Sequence, residues 1–299
     1  MMEKIKTLVS LIIIIICLPY LVTFVVQGDF MNDSGQENVS DSLQSEDTER
    51  LILTIANEIP VIYEEEALKA QAVIARTNFE YAKEHDQAEP EYLTREELRD
   101  RFGNKDFQKY YERLKNCVEE TAGQIITYKE NVIQLPYHFV SAGKTRKLED
   151  ADSKKNSAYI KSVSSMSDLG SEHFLKVEFY TKKQFYNKLK SAFPDLQFSE
   201  DSLDQTASVV KRDQASYVLT VQLPGKKISG EQFKNAFSLN STCFSLKEVD
   251  DQIRIVTKGY GQGYGMSQYG ANEMAKEGSS YEQILNYYYS GIDITNQEQ

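Results

Sequence analysis

The sequence combines a globular composition with a clear excess of acidic residues. Its 299 residues are 40% hydrophobic and 26% charged, which is enough for one large domain or two small ones. The formal net charge of −11, with no cluster of Lys and Arg, argues against a nucleic-acid backbone as the partner. Tyrosine is abundant and tryptophan is absent, and such tyrosines suit either cores or surfaces that stack on sugars.

The cysteines do not indicate a zinc site or a disulfide framework. There are three, Cys17, Cys117 and Cys243, and none forms a Cys-x-x-Cys pair. Cys117 and Cys243 could pair in an exported protein. We favour their interpretation as small buried apolar side chains.

An apolar segment near the start of the chain predicts a membrane anchor. Residues 7–26 are almost all apolar and are long enough to cross a bilayer. Lys4 and Lys6 precede the segment and acidic residues follow it, so the positive-inside rule places residues 1–6 in the cytoplasm. A cleaved signal peptide is the alternative, but no small-x-small cleavage site follows.

Composition divides the remainder of the chain in two. Residues 27–50 are acidic and polar with few large apolar side chains, which predicts a disordered linker. Residues 51–299 are predicted to form the extracytoplasmic domain. The localisation predicted is therefore a single-pass membrane protein with this domain outside the cell.

The domain shows short helices and strands without a regular βαβ order, which predicts an α+β fold. Helices are predicted from about Glu64 to Glu84, 94–103, 106–122, 182–193, from Ser229 onward, 266–276 and 280–289. Strands are predicted at 125–128, 132–140, 174–180, 208–212, 216–223 and 253–257. Thr94 and Glu97 are spaced as a capping box.

The helix that starts at Glu64 carries a candidate catalytic residue. It contains no Gly or Pro, its start is acidic and it becomes basic further along, as the helix dipole favours. Glu66 lies in the first turn beside small side chains, which leave room for a large substrate. An ordinary solvated acidic helix start is the alternative.

A glycine-rich stretch, residues 259–271, is the least random part of the sequence. Its alternating glycines allow the backbone to bend sharply or to approach a ligand, and a helix follows. A packed glycine turn explains the same pattern equally well. The glycine spacing matches neither of two nucleotide-binding motifs, G-x-G-x-x-G and G-x-x-x-x-G-K-[ST].

Of the three histidines, His138 has the most plausible site position, at the end of a strand before the Ser141-Ala142-Gly143 loop. A structural histidine is the alternative. The chain offers no set of three or four convergent metal ligands, and no metal or cofactor is predicted.

Five segments together resemble the stage II sporulation protein D family. They are the Glu66–Thr77 helix, Tyr137–Thr145, Ala158–Val163, the Ser229–Phe244 region and Gly261–Ala271, with the tyrosine-rich end at 284–289 in agreement. The resemblance extends over about residues 52–294, and the helix and the glycine motif are its most specific parts.

The resemblance implies a peptidoglycan lytic transglycosylase that acts during spore engulfment. Such enzymes cut glycan strands, preferably without stem peptides, between N-acetylmuramic acid and N-acetylglucosamine and leave 1,6-anhydro ends. It implies Glu66 as the catalytic acid, a glycan-binding groove and an amidase as partner. The residues that it implies for substrate binding are Arg76, His138, Ser141, Ser267, Gln268 and Tyr269.

Two departures from the family pattern bear on this prediction. Gln262 stands where the glycine motif usually has a histidine, so any proton transfer by that histidine is lost. Ile133 stands where some relatives have a zinc-binding cysteine. Two other functions stay open, namely a glycan-binding module that stimulates an amidase without cutting, and an anchored scaffold.

Overall fold

The computed structural model describes residues 37–148, 158–196 and 207–297, with side chains from residue 46 onward. The chain divides into two compact units, residues 1–50 and 51–299. The predicted cytoplasmic tip and the anchor at 7–26 lie outside the described residues. Within the described ranges, no helix is both long and apolar enough to cross a bilayer.

The α+β class is confirmed for the described residues, which form seven α-helices and four small sheets. The helices are α1 (Glu37–Glu58), α2 (Glu65–Glu84), α3 (Arg95–Glu120), α4 (Lys182–Ala192), α5 (Gly230–Phe237), α6 (Gln268–Lys276) and α7 (Tyr281–Tyr288). The strands are β1 (Gln124–Tyr128), β2 (Asn131–Val132), β3 (Tyr137–His138), β4 (Leu175–Thr181), β5 (Ser208–Arg212), β6 (Val218–Leu223), β7 (Lys226–Ser229), β8 (Phe244–Val249), β9 (Gln252–Lys258), β10 (Met266–Ser267) and β11 (Asp293–Asn296).

Three of the sheets are antiparallel, with strand orders β11-β1-β2, β4-β9-β8 and β5-β6-β7. The fourth is a two-residue parallel pair in which β3 lies beside β10. This short pair joins two segments that the sequence singled out, the Tyr137-His138 strand and the glycine motif. A 3-10 helix, Met166–Gly170, lies between β3 and β4.

Helix α2 is the central element because both of its sides are buried. Ala67, Ala70 and Val73 face a core shared with β1, α6 and α7. Leu68 and Ala72 face a second core shared with the end of α1 and with α3. The small side chains let the neighbouring elements approach closely, and this burial stabilises a helix of favourable propensity.

A third core lies under the other two antiparallel sheets. Phe185 of α4 and Phe233 and Phe237 of α5 pack there against β6, β8 and β9. Phe233 stacks on Phe244 of β8 with ring centroids 4.8 Å apart. The predicted helices at 182 and 229 are both confirmed.

The capping box at Thr94 is confirmed. The hydroxyl of Thr94 accepts from the Glu97 backbone at 3.2 Å, and the Glu97 carboxylate accepts from the Thr94 backbone at 2.8 Å. The two helices predicted at 94–103 and 106–122 form one element, α3, with a kink at Gly103. Gly103 has φ 74° and ψ 151°, a conformation that glycine adopts without strain.

The predicted strand 132–140 is wrong in length, since it breaks into β2 and β3. Leu135 explains the break, because its backbone amide binds the Asn78 side chain at 2.8 Å and its carbonyl accepts from the same side chain at 3.0 Å. Pro136 follows and has no N–H to donate to a sheet. The interruption turns Tyr137 and His138 toward the glycine motif.

Other elements differ from the sequence predictions. Helix α1 begins at Glu37, inside the predicted disordered linker, whose residues 27–36 lie outside the described part of the chain. Helix α6 begins at Gln268 rather than Met266, because Ser267 caps it and Met266 pairs with β3. The sequence predictions did not include strands β7, β8, β10 and β11.

Candidate functional site

Glu66 lies in the first turn of α2, where the start of this helix meets α6 and α7. The backbone amide of Glu64, the residue before α2, donates to the side-chain oxygen of Asn272 in α6 at 2.8 Å. Asn272 therefore satisfies one of the amides that a helix start leaves without an intrahelical partner. This contact fixes the first turn of α2 against α6.

Both carboxylate oxygens of Glu66 are bound. Oε1 accepts from Nζ of Lys69 at 2.9 Å, and Oε2 accepts from the backbone amide of Tyr281, the first residue of α7, at 2.7 Å. The Glu66 side chain remains 31% exposed. The carboxylate is thus held in one orientation and can still be reached from solvent.

Lys69 is shared between two carboxylates. Its Nζ also lies 2.5 Å from the carboxylate of Glu120 at the end of α3. The hydrogen bond to Glu120, with a further contribution from Glu66, raises the pKa of Lys69 above its ordinary value despite the opposing effect of burial. Lys69 is therefore a positive charge that links α2 to α3.

Three tyrosines surround this end of α2. Tyr63 precedes the helix and meets Tyr269 of α6 edge-to-face, with ring centroids 6.5 Å apart. Tyr281 is the residue whose amide binds Glu66, and its hydroxyl donates to Gln124 at 2.9 Å. All three side chains are partly exposed. Aromatic rings in this position suit stacking against the apolar face of a sugar.

Ser141 and Ser267 are brought together by a buried carboxylate that the sequence analysis missed. Oδ2 of Asp168 accepts from the Ser141 backbone amide at 2.8 Å, and Oδ1 accepts from the Ser267 hydroxyl at 2.9 Å. Burial raises the pKa of Asp168, and these hydrogen bonds oppose the shift. Both serines are fully buried, so in this structure they join the loop after β3 to the start of α6.

His138 is also buried, at 4% exposure. Its Nδ1 lies 2.9 Å from the carbonyl of Tyr264 and donates to it, and its Nε2 has no hydrogen-bond partner. Burial lowers the pKa of His138 to about 4, so the ring is neutral at pH 7. The structure therefore places this predicted substrate-binding residue inside the fold.

The glycine motif packs tightly against its surroundings. A Cβ on Gly265, whose φ is +66°, would lie 1.8 Å from the carbonyl of Pro136. A Cβ on Gly263 would strike the ring of Tyr217. Gln262, the residue before Gly263, is exposed, and its carbonyl accepts from Arg146 at 3.1 Å. The geometry favours the packed-turn interpretation over a backbone cradle for a ligand.

Arg76 lies nearly three turns further along α2 and does not meet Glu66. Its guanidinium donates to the carbonyls of Val118 and Gln124, each at 3.0 Å. Burial lowers its pKa to about 10. The contacts of Arg76 satisfy carbonyls where α3 ends and β1 begins.

Gln268 contacts Glu58, a second carboxylate residue that the sequence did not reveal. The Gln268 amide donates to the backbone carbonyl of Glu58 at 2.9 Å and lies 3.2 Å from the side-chain oxygen of Gln71. Gln71 in turn donates to the Glu58 carboxylate at 2.7 Å. The available sequence signal was a carboxylate within the mostly apolar stretch from Leu51 to Val61.

No metal centre is evident among the described residues, which hold no group of three or more His, Cys, Asp and Glu side chains suited to a metal ion. Cys117 and Cys243 are both free and buried, in agreement with the interpretation we favoured.

Comparisons with known proteins identify the family. A family model described as SpoIID, stage II sporulation protein, matches residues 35–128. Stage II sporulation protein D of Bacillus amyloliquefaciens is 32% identical over 263 residues, covering 83% of this chain and 73% of the relative. The protein of the same name in Bacillus subtilis (strain 168) is 32% identical over 263 residues, with 83% and 74% covered. An amidase enhancer of B. subtilis is 35% identical over 118 residues, which cover 36% of this chain and 16% of the enhancer. The chain belongs to the stage II sporulation protein D family.

Proposed function

We propose that the protein is a lytic transglycosylase that cuts the glycan strands of peptidoglycan between N-acetylmuramic acid and N-acetylglucosamine. The observation that carries the proposal is the placement of Glu66, the residue that the family resemblance assigns as the acid. Its carboxylate is oriented by two donors, reachable from solvent and flanked by Tyr63, Tyr269 and Tyr281.

The reaction needs one carboxyl group that acts twice. Protonated Glu66 gives its proton to the glycosidic oxygen as the bond to the anomeric carbon breaks. The resulting carboxylate then takes the proton of the C6 hydroxyl on the same muramic acid. That hydroxyl oxygen attacks the anomeric carbon and closes the 1,6-anhydro ring. No water is consumed, so the second carboxylate of an ordinary glycosidase is unnecessary.

Lys69 and the amide of Tyr281 would act as positioning groups in this scheme. Lys69 has a second carboxylate partner, Glu120, to which it can turn when Glu66 carries a proton. The Tyr281 amide would keep Oε2 fixed while Oε1, the oxygen that Lys69 contacts, transfers the proton. Tyr269 would contribute a stacking face for a sugar ring.

We further propose that residues 7–26 anchor the protein in the cell membrane, with residues 1–6 in the cytoplasm and the domain outside. This placement suits an enzyme that acts on wall next to a membrane during engulfment. A cell-wall amidase that removes stem peptides is the proposed partner.

A second function, a glycan-binding enhancer of an amidase, is favoured by the matched segment of the amidase enhancer. It predicts glycan binding without cleavage, which the cleavage experiment below distinguishes from transglycosylase activity.

The test is incubation of the purified full-length chain with denuded glycan strands, followed by mass spectrometry for 1,6-anhydro ends. The variant is Glu66→Gln, which keeps an acceptor for the Tyr281 amide but has no acidic proton to transfer to the glycosidic oxygen. Glu65→Gln is the matched control, because Glu65 lies in the same turn, is 61% exposed, and directs its carboxylate at Arg113 of α3, 3.8 Å away. Anhydro ends from the wild type and the control, but not from Glu66→Gln, are expected. Reducing ends, or no product with glycan bound by all three proteins, would overturn the proposal.

A further inference from the structure

A polar cleft lies on a different side of α2 from Glu66. It has a volume of about 300 Å³ and is bounded by the end of α1, the second half of α2, the segment after α2 and the stretch between β2 and β3. Its lining is dominated by amides, tyrosine hydroxyls and carboxylates. These polar side chains are Asn57, Glu58, Asn78, Tyr81, Gln87, Glu91, Gln134 and Tyr137. Glu66 does not line it.

Glu58 lines this cleft and is held in position by hydrogen bonds. Its carboxylate accepts from the Gln71 amide at 2.7 Å and is hydrogen-bonded to the Tyr137 hydroxyl. Gln268 holds both the backbone of Glu58 and the side chain of Gln71. Gln71 of the α2 motif, Tyr137 of the Tyr137–Thr145 segment and Gln268 of the glycine motif therefore together fix the position of Glu58.

The charges around the cleft suit an uncharged ligand. No Lys or Arg side chain is among the lining residues. The nearby cation Arg101 is directed at the end of α1, where it donates to the carbonyl of Ala56 at 3.0 Å and contacts Asn57 at 3.3 Å. The other titratable groups at the cleft are Tyr81, Tyr137 and Glu91, with His85 stacked on Tyr81 at 4.0 Å.

The protonation of Glu58 adds a donor at neutral pH. Burial raises the pKa of Glu58 to about 7, and the hydrogen bonds from Tyr137 and Gln71 oppose the shift. A protonated carboxyl group can donate one hydrogen bond and still accept others. Amides, hydroxyls and a neutral carboxyl group together match the hydroxyl and acetamido groups of a sugar.

We infer that this cleft binds N-acetylated sugar, and that Glu58 takes part as a hydrogen-bond donor in its protonated form. The choice of sugar rests on the proposed function, since a glycan substrate is long enough to occupy more than one site. Binding at the cleft is independent of bond cleavage at Glu66.

The test measures the binding of triacetylchitotriose, a short N-acetylglucosamine oligomer, to the full-length chain by calorimetry at pH 6 and pH 8. If only the protonated form binds, the affinity of the wild type falls about tenfold between these values. In Glu58→Gln, whose amide imitates the protonated carboxyl group, the affinity is expected to differ less than twofold between them. A tenfold loss that persists in Glu58→Gln, or no pH dependence in the wild type, would overturn the inference.

A second variant locates the site without altering the buried network. Gln134 is exposed at the rim of the cleft, and Gln134→Arg places a bulky charge there. At least a tenfold weaker binding is expected from this variant, whereas Glu65→Gln should bind as the wild type does. Equal binding by Gln134→Arg would place the sugar elsewhere and overturn the inference. Neither result depends on whether the protein cuts glycan, so failure here is distinct from failure of the proposed reaction.

Discussion

Two glutamates on either side of the start of α2 stand in opposite environments. Glu66 is held by a lysine and a backbone amide at a partly exposed helix start. Glu58 is held by a neutral amide and a phenol in a site where burial raises its pKa to about 7. The first arrangement orients a carboxylate by charge, and the second one favours a neutral carboxyl group. The difference shows that burial and the choice of hydrogen-bond partners give two glutamates close in sequence very different surroundings.

The largest predicted effect is on the rate of glycan cleavage, which should depend on Glu66 and not on Glu58. Glu66→Gln should lower the rate of glycan cleavage by about 10²–10⁴-fold, the range that a general acid contributes. The measurement is the initial rate of anhydro-end formation, with Glu65→Gln as the control. Loss of cleavage in Glu58→Gln together with retained cleavage in Glu66→Gln would exchange the assigned roles.

The next effect concerns stability and pH at Glu58. Below pH 4.5 the group is protonated in both the folded and the unfolded chain. As the pH rises through 7 the unfolded chain releases the proton first, so the wild type loses stability that Glu58→Gln retains. A rise of the pKa from 4.5 to about 7 corresponds to about 3 kcal/mol.

Urea unfolding of both proteins at pH 4 and pH 8 measures this difference. Relative to the wild type, Glu58→Gln should gain up to about 3 kcal/mol in unfolding free energy between these pH values. The absence of any gain in Glu58→Gln would show that folding does not raise the pKa of Glu58 and would contradict the account given of this site.

A smaller effect is expected from the residue that supports Glu58. Gln71→Met removes the donor to Glu58 and the acceptor for Gln268, which should cost about 1–3 kcal/mol of unfolding free energy. Because the Gln71 hydrogen bond lowers the pKa of Glu58, its loss should raise that pKa further. A downward shift in the titration of Glu58 in this variant would contradict the hydrogen-bond assignment.

The smallest effect is expected at Lys69. Its contact with Glu66 is partly exposed, so Lys69→Met should change the unfolding free energy by about 1 kcal/mol or less. Thermal or urea unfolding at low and high salt measures it. A loss above about 2 kcal/mol would show that the Lys69 contacts behave as a buried pair.

The sequence could predict the features of the two glutamate sites that depend on neighbouring residues, and not those that depend on distant ones. Helix α2 was predictable because its residues favour a helix and its small side chains lie on both faces. Glu58 was not, because its partners Gln71 and Gln268 come from 13 and 210 residues away. The same holds for Asp168, whose partner Ser267 is 99 residues distant. The division of the strand predicted at 132–140 depends on Asn78 of α2, which no local pattern reveals.

The most direct test of the contrast is a titration of the glutamate side chains by carbon-13 NMR, in full-length protein labelled at the glutamate carboxyl carbons. The wild type should show a resonance with a midpoint near pH 7 that disappears in Glu58→Gln and persists in Glu66→Gln. If the resonance that disappears in Glu58→Gln has a midpoint below pH 5, Glu58 holds no proton at neutral pH, and the distinction drawn between the two glutamates is wrong.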